Sequence, residues 1–334
     1  MKKIILLTSL IAGFGAVTAR AQIGAVNQVD SSQNRSQLNR TATAAVSNSV
    51  PELYAGEESD VGPQSVVQTG SRRKLFEAYA DVQYFYTDNL LLNDRKKIDT
   101  GVLASTVEFA LAPTAYPLGS GTFAPRLGYR HEWFDFGLDG EGLRFPRMKL
   151  DNLDFNAQTV FSDALWTRGH WSFGGGLEWT RLMETDGYHQ FYQELVPSWT
   201  ARWTLPLCDK SAFAVSYDGD YRWTHSDREF LEFSRNDATD RTDHSIELTL
   251  TEVLCQHVVF QPFYRMQYTH FSAYPEGPRN DYLNSFGAGL YWIICPHFTV
   301  RTYADYDVMM SGNKLVNGYH KLDAGGGIDV SIRF

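Results

Sequence analysis

The last fourteen residues of the chain alternate strictly between two kinds of side chain. One face is apolar or small and ends in an aromatic residue: Leu322, Ala324, Gly326, Ile328, Val330, Ile332 and Phe334. The other face is polar or small: Lys321, Asp323, Gly325, Gly327, Asp329, Ser331 and Arg333. A period of two makes two faces only in an extended strand. The run exceeds the roughly 5–6 residues of an ordinary strand and suits a tilted strand that crosses a bilayer, which needs about 9–11 residues.

The same alternation recurs from Lys74 to the C-terminus and predicts about twelve strands. Their approximate positions are 75–88, 99–112, 122–135, 150–161, 169–183, 189–205, 212–225, 243–254, 257–270, 281–294, 297–310 and 321–334. Short connections, such as 206–210, alternate with long polar ones, such as 136–149 and 226–242. This alternation of short and long connections is typical of membrane barrels, which have short turns on one side and longer loops on the other. We therefore predict an all-β fold for residues 74–334: an antiparallel up-and-down transmembrane β-barrel.

The N-terminus has the pattern of a secretory signal peptide. Lys2 and Lys3 precede a mostly apolar stretch over 4–17, and Ala19-Arg20-Ala21 forms a cleavage site. Cleavage of residues 1–21 would remove three basic residues and no acidic ones, moving the formal net charge from −9 to −12. An acidic mature chain argues against nucleic acid as a partner.

Residues 22–73 differ in composition from the rest of the chain. They are small and polar, and stretches such as 31–37 and 41–49 hold too little apolar surface to fold alone. We interpret the segment as a disordered periplasmic extension. A short helix or a plug inside the barrel is the alternative.

Two features resemble known bacterial outer-membrane proteins. The terminal Phe334 resembles the C-terminal insertion signal of outer-membrane barrels, which implies recognition by the barrel-insertion machinery. The run Tyr84-Phe85-Tyr86-Thr87-Asp88-Asn89, followed by Asp99 and a strand, resembles the opening of a β-barrel porin family, some members of which accompany exopolysaccharide gene clusters. The resemblance implies the cell outer membrane, with its lipids and lipopolysaccharide as partners. An even strand number predicts that both termini are periplasmic.

The polar faces of the predicted strands carry charges of both signs, which we expect to line the lumen. The candidate selectivity residues are Arg126, Arg130, Glu132, Asp154, Asp218, Asp220, Arg222, Arg265, Arg301 and Asp305. If these groups pair, they form a closed salt-bridged core; if water fills the lumen, they form a charged filter. The leading hypothesis is a narrow channel or export conduit for small, saccharide or polyanionic solutes. The alternative is a plugged structural barrel that presents loops 136–149 and 226–242 to partners.

An enzymatic function, as an outer-membrane phospholipase or protease, is the least favoured hypothesis. His131, His244 and His270 are predicted near strand ends on the outer face, but no motif joins them to a nucleophile. We expect no cofactor and no metal, since the cysteines lack metal-binding spacing. Cys208, Cys255 and Cys295 are each expected in a short turn, and their odd number leaves at least one thiol unpaired.

Overall fold

A computed structural model of the chain describes residues 24–40, 42, 74–94, 97–137, 153–226 and 236–334. One helix, α1, covers residues 24–40. Thirteen strands follow within this part of the chain: β1 (Phe76–Thr87), β2 (Thr100–Leu111), β3 (Tyr116–Leu118), β4 (Gly121–Phe136), β5 (Phe155–Arg168), β6 (Trp171–Glu184), β7 (Gln190–Cys208), β8 (Ser211–Ser226), β9 (Arg241–Cys255), β10 (Val258–Phe271), β11 (Arg279–Cys295), β12 (Phe298–Ser311) and β13 (Tyr319–Arg333). The predicted signal peptide, 1–21, lies outside the described residues.

The long strands form a closed ring. Each pairs antiparallel with its neighbours in the chain, and β2 pairs directly with β4 because the three-residue β3 only extends the turn between them. The ring closes where β1 pairs with β13, in an unbroken register from Glu77–Arg333 to Thr87–Asp323. The predicted twelve-stranded, antiparallel up-and-down barrel is confirmed.

The two ends of the barrel differ in the length of their connections. Turns of two residues follow β5, β7, β9 and β11 at one end, which we call the turn end. Longer connections, such as 88–99 and 312–318, lie at the other end, which we call the loop end. Phe334 lies at the turn end, where its backbone N–H donates to the carbonyl of Phe76 at 2.9 Å. Most of loops 136–149 and 226–242 lies outside the described residues.

The outer wall is apolar and the inner wall is polar. Large side chains such as Phe109, Trp223 and Trp292 are half exposed around the outside, whereas Asp81, Arg301 and other charged residues are buried inside. A belt of exposed aromatic and aliphatic groups is stable against lipid, and a closed barrel leaves no unpaired strand edge in it. Among the described residues, no helix is both long and apolar enough to cross a membrane.

Helix α1 lies inside the barrel, which differs from the predicted disordered extension. Its seventeen residues span about 25 Å, close to the height of the apolar belt of a membrane barrel. Gly24 lies beside the backbone carbonyl of Leu90 at the loop end, and Arg40 reaches Glu77 near the turn end. The described N-terminal end and Phe334 thus lie at opposite ends of the barrel. The predicted placement of both termini on the periplasmic side stays a prediction, because residues 1–23 lie outside the described part of the chain.

The predicted facing of the fourth long strand is also wrong. The sequence pattern places Phe155 and Phe161 toward lipid, with Asp154 in the lumen. In the structure both phenylalanines are buried inside. Asp154 precedes β5 and accepts a hydrogen bond from the backbone N–H of Phe136 at 2.8 Å. The physical reason is that part of the lumen is apolar, so alternation alone does not tell the inner face from the outer one.

Candidate functional site: the lumen and its helix

Arg35 anchors the middle of α1 to the wall. Its guanidinium donates to Asp323 at 2.6 Å and to Asp305 at 3.3 Å. The same group lies 4.5 Å from the ring centroids of both Phe85 and Tyr303. The Arg35 side chain is 7% exposed and that of Asp323 is fully buried. Buried charges of this kind are stable only when paired, so the helix and the wall depend on each other here.

The end of α1 near the turn end makes a second set of polar contacts. Arg40 pairs with Glu108 at 2.8 Å, and its guanidinium lies 4.8 Å from the ring centroid of Tyr79. Asn39 donates from Nδ2 to Asp329 at 2.5 Å. Leu38 and Ala42 pack against an apolar cluster on the wall: Val259, Tyr291 and Ile293. This end of the helix therefore contacts two parts of the wall, β2, β1 and β13 through polar groups, and β10 and β11 through apolar ones.

Near the loop end the contacts are part polar and part apolar. Lys321 donates to the side-chain oxygen of Asn27 at 2.7 Å, and Arg222 pairs with Asp30 at 3.0 Å. The apolar side chains of the first helical turns are Ala25, Val26 and Val29. They belong to a buried cluster with residues of the wall: Phe85, Leu90, Leu91, Ile98, Val102, Ala104, Phe134, Phe136, Phe155, Ala157, Leu182, Phe191 and Tyr192. This cluster explains why Phe155 faces inward.

The wall also forms ion pairs of its own. Arg301 on β12 donates to Asp81 on β1 at 2.7 Å, and both side chains are buried. Lys321 on β13 lies 3.1 Å from Asp323 and 3.4 Å from Asp307. All of these partners belong to the barrel wall, so the pairs do not require the helix: Arg301 and Asp81 pair across the intervening β13, Lys321 and Asp323 lie on one strand, and Lys321 and Asp307 lie on neighbouring strands. The acidic wall of the lumen is therefore partly neutralised before α1 contributes Arg35.

Nine of the ten predicted lumen residues lie on barrel strands, and those whose contacts are resolved are paired. Arg126 and Arg130 both approach Glu108, and Arg130 also lies 3.4 Å from the buried Glu132. Arg222 lies 3.3 Å from Asp220. The structure brings these groups together in pairs, rather than as an isolated ring of one sign.

The remaining predicted residues differ in their surroundings. Asp218 is exposed and alternates with Asp220 and Arg222 along β8. Arg265 is half-buried and lies opposite Glu247 in the strand register. Asp305 is bound by Arg35 of the helix, a contact that the strand pattern does not predict. Arg301 pairs with Asp81 on the wall. Asp154 is not a lumen residue, as described above.

Among the described residues, two cavities lie between α1 and the wall. One, of about 120 Å³, lies toward the loop end beside Asp30, Arg241, Arg279 and Asp281. The other, of about 90 Å³, is lined by Gln37, Arg40, Glu108, Arg126 and Arg130. Both are smaller than the roughly 300–1,000 Å³ of pockets that hold small organic ligands. With the helix in place, the lumen has room for water at these sites but not for a sugar.

Sequence reasoning missed the helical partners Asp30, Arg35 and Arg40. A signal for them exists in the wall. On the neighbouring strands β1, β12 and β13, the middle of the inner face carries more acids than bases: Asp81, Asp305, Asp307, Asp323 and Asp329 against Arg301 and Lys321. Such an excess of buried carboxylates requires a further cation, and Arg35 is that cation.

The cysteines and histidines lie away from the lumen. Cys208, Cys255 and Cys295 are free and exposed, and each ends a strand at the turn end. They lie on alternate strands, about 10 Å apart at roughly 4.8 Å per strand, too far for a disulfide. The outer-face histidines His131, His244 and His270 have hydrogen-bond partners on the same wall: Tyr129, Tyr217 and Asn280. In the described part of the chain, no group of three or more potential ligands is arranged to hold a metal.

Comparison with known proteins gives structural likenesses alone. An outer-membrane channel from Pseudomonas putida F1 has 10% identity and a TM-score of 0.49, over 80% of this chain and 100% of that one. The β domain of the Bordetella autotransporter BrkA has 14% identity and a TM-score of 0.45, over 77% and 100%. The KdgM porin in complex with disordered oligogalacturonate has 9% identity and a TM-score of 0.38, over 76% and 99%. No family model and no curated protein matches the chain.

The closed barrel, its apolar outer belt and its charged inner wall together decide the class of protein. The chain is a β-barrel of the outer-membrane type. Its particular feature is a helix from its own N-terminal region that occupies the lumen.

Proposed function

We propose that the protein is a channel that α1 closes and that opens when α1 leaves the lumen. The observation that carries this proposal is the seating of the helix inside the barrel by charged and polar contacts, with Arg35 bound to Asp323 and Asp305 at their centre. Water can replace contacts of this kind when a helix leaves, because each partner is a good hydrogen-bonding group in water.

Some carboxylates that bind the helix also have a basic partner on the wall. Asp323 keeps Lys321 as a partner, and Glu108 keeps Arg126 at 2.5 Å. The docked helix also carries a penalty: both amide atoms of Gln28 and Nη1 of Arg35 are buried without a hydrogen-bond partner among the described residues. Each such atom costs about 1–3 kcal/mol, which weakens docking and favours reversible closure.

The open lumen would suit small polar solutes, saccharides among them. Twelve strands lie between eight-stranded barrels, which are filled by side chains, and sixteen-stranded porins, which hold an aqueous channel. Removing the helix would expose a lumen lined by paired charges of both signs, including Arg126, Arg130 and Arg222. We propose that these groups set the selectivity, as rings of charged side chains do in other pores.

A permanently plugged barrel is the second candidate, and one observation favours it. Ala25, Val26 and Val29 are buried in the apolar cluster near the loop end, and their release into water costs about 25 cal/mol per Å² of exposed apolar surface. In that case the barrel would act as a scaffold for partners of its loops. We propose that the loop end faces the cell exterior, since long loops lie outside in such barrels.

A reversible lock on the helix distinguishes the two candidates. Ser32 accepts a hydrogen bond from Gln83 on β1 at 2.9 Å, so the variant Ser32→Cys/Gln83→Cys places two thiols within reach of a short bis-methanethiosulfonate cross-linker. This reagent forms a disulfide with each thiol by displacing methanesulfinate and is removed by a reductant. The native cysteines are first replaced by serine. In planar bilayers, we expect the cross-linked protein to be silent and the reduced protein to show discrete conductance steps.

The single variant Gln83→Cys, treated in the same way, is the control and should conduct throughout. Conductance that is equal with and without the cross-link would disprove gating by α1. A barrel that is folded, as shown by heat-modifiable gel migration, but silent in both states would favour the permanently plugged scaffold.

A further inference from the structure

A row of polar side chains crosses the outer wall near the loop end. Five residues on the neighbouring strands β4 to β8 are consecutive partners in the strand register: His131, Gln158, Arg181, Gln193 and His225. Residues adjacent to them in the chain, such as Glu132 and Thr180, are buried in the lumen, so alternation directs the row outward. None of the five is acidic.

The next outward-facing row toward the turn end is apolar. It consists of Tyr129, Val160, Trp179, Leu195 and Trp223, all of them well exposed. On β6 the apolar outer face runs from Trp171 to Trp179, eight residue steps. At about 3.4 Å per step and a tilt of roughly 40°, this is about 21 Å, close to the roughly 25 Å of a membrane belt. Arg181 is the first outward residue beyond the belt, at the level of lipid headgroups.

Arg181 is held in place but not neutralised. Its Nε and Nη2 both donate to the amide oxygen of Gln158, at 2.8 and 2.5 Å, and its guanidinium lies 5.7 Å from the ring centroid of Trp179. The described residues offer it this neutral oxygen and no carboxylate within 4.0 Å. A fixed guanidinium beside lipid, without an acidic partner, favours binding of an external anion.

A second basic group lies two strands away from Arg181. His225 on β8 is exposed, and Gln193 lies between the two. Two strand spacings are about 10 Å, so two phosphates on one lipid headgroup could contact both positions at once. At the other end of the row, His131 is stacked on Trp133 at 4.1 Å and hydrogen-bonded to Tyr129, which bounds the site on that side.

We propose that Arg181, Gln193 and His225 form a binding site on the outer wall for a glycolipid that carries two phosphate groups. The acyl chains of this lipid would lie against Trp179 and Trp223. Binding at two points gains from the high effective concentration of the second phosphate, which selects against lipids with one phosphate. The site requires that the loop end faces the outer leaflet, and it does not depend on the movement of α1.

Native mass spectrometry of the detergent-solubilised full-length protein, titrated with lipid A that carries two phosphates, tests the site. We expect Arg181→Gln/His225→Gln to weaken binding at least about tenfold, since two charge-assisted contacts are lost. The control Arg168→Gln makes the same change at the turn end of β5 and should bind like the parent protein. Heat-modifiable migration confirms that each variant is folded.

Two comparisons on the parent protein need no variant. Dephosphorylated lipid A and phosphatidylglycerol should each bind about tenfold more weakly than the diphosphorylated lipid. Equal competition by phosphatidylglycerol would refute binding at two points, and equal binding of dephosphorylated lipid A would refute recognition of phosphate. The site is also wrong if Arg168→Gln weakens binding as much as the double variant does.

Discussion

Replacement of Arg35 by alanine should release the helix from the lumen. The change removes the pairs with Asp323 and Asp305 and the contacts with the rings of Phe85 and Tyr303. A hydrogen bond between charged groups contributes about 1.5–3 kcal/mol, and a cation–π contact about 0.5–2 kcal/mol. Part of the loss is offset, because Asp323 keeps Lys321 at 3.1 Å.

We therefore expect Arg35→Ala to shift the equilibrium between docked and released helix by about 3 kcal/mol, which is roughly a hundredfold. The assay is the open fraction of single channels in planar bilayers, at a fixed voltage and salt concentration. Arg35→Lys keeps the charge but not the fork of donors, and we expect it to lie between the parent protein and Arg35→Ala.

The control for this experiment is Arg333→Gln, which also removes one positive charge from the lumen. Arg333 is partly exposed, lies 4.0 Å from Glu77 and binds the carbonyl of Ala112, and it makes no described contact with α1. Its open fraction should match that of the parent protein. A rise of less than about fivefold for Arg35→Ala, or an equal rise for Arg333→Gln, would show that Arg35 does not hold the channel closed.

Three further predictions concern the barrel itself. Gly325→Ala should destabilise the barrel by about 1–3 kcal/mol in urea unfolding, because an added Cβ would overlap the backbone of Tyr84 and Phe85. The control Gly175→Ala should have little effect, since the atom nearest to the added Cβ is 3.5 Å away. Equal unfolding midpoints for the two variants would contradict the prediction. The three cysteines at the turn end are exposed: Cys208, Cys255 and Cys295. A membrane-impermeant maleimide should label them only after the outer membrane is permeabilised. Labelling in intact cells would show that the barrel has the opposite orientation. Phe334→Ala should strongly reduce the amount of protein in the outer membrane of cells. The stability of the refolded protein should fall by only about 1 kcal/mol, from loss of the stacking with Phe76 at 5.9 Å. Losses of equal size in cells and in vitro would argue against an insertion signal.

The barrel could be predicted from sequence because its determinant is local. Alternation with a period of two assigns each residue to a face without knowledge of any other strand, and the closing strand shows it over fourteen residues. The prediction was wrong at Phe155 and Phe161, where apolar side chains face the lumen and alternation does not tell the inner face from the outer one. Phe155 belongs to a buried apolar cluster in the lumen that includes Val26 and Val29, and Phe161 lies beneath the guanidinium groups of Arg126 and Arg130.

The sequence supports the helix only as the second alternative for residues 22–73, because the determinants of the helix are distant in the chain. Residues 24–42 hold few apolar side chains, and their composition alone is typical of a disordered segment. What stabilises them is the wall: Arg35 and Asp323 are 288 positions apart in the chain. The need for a further cation becomes visible only when the strands are placed around the ring. The inner face near Asp305 then shows more carboxylates than basic side chains.

Several of the polar contacts of α1 lie at the seam of the ring, where the first and last strands meet. Gln83 and Glu77 belong to β1, and Lys321, Asp323 and Asp329 belong to β13. A segment near the N-terminus thus binds the last strand of the barrel. The full set of partners for the helix exists only after β13 has joined β1, and the helix contacts both edges of that seam. A chain that ended before β13 would have neither a closed wall nor Asp323, so the tightest described ion pair of the helix depends on completion of the last strand.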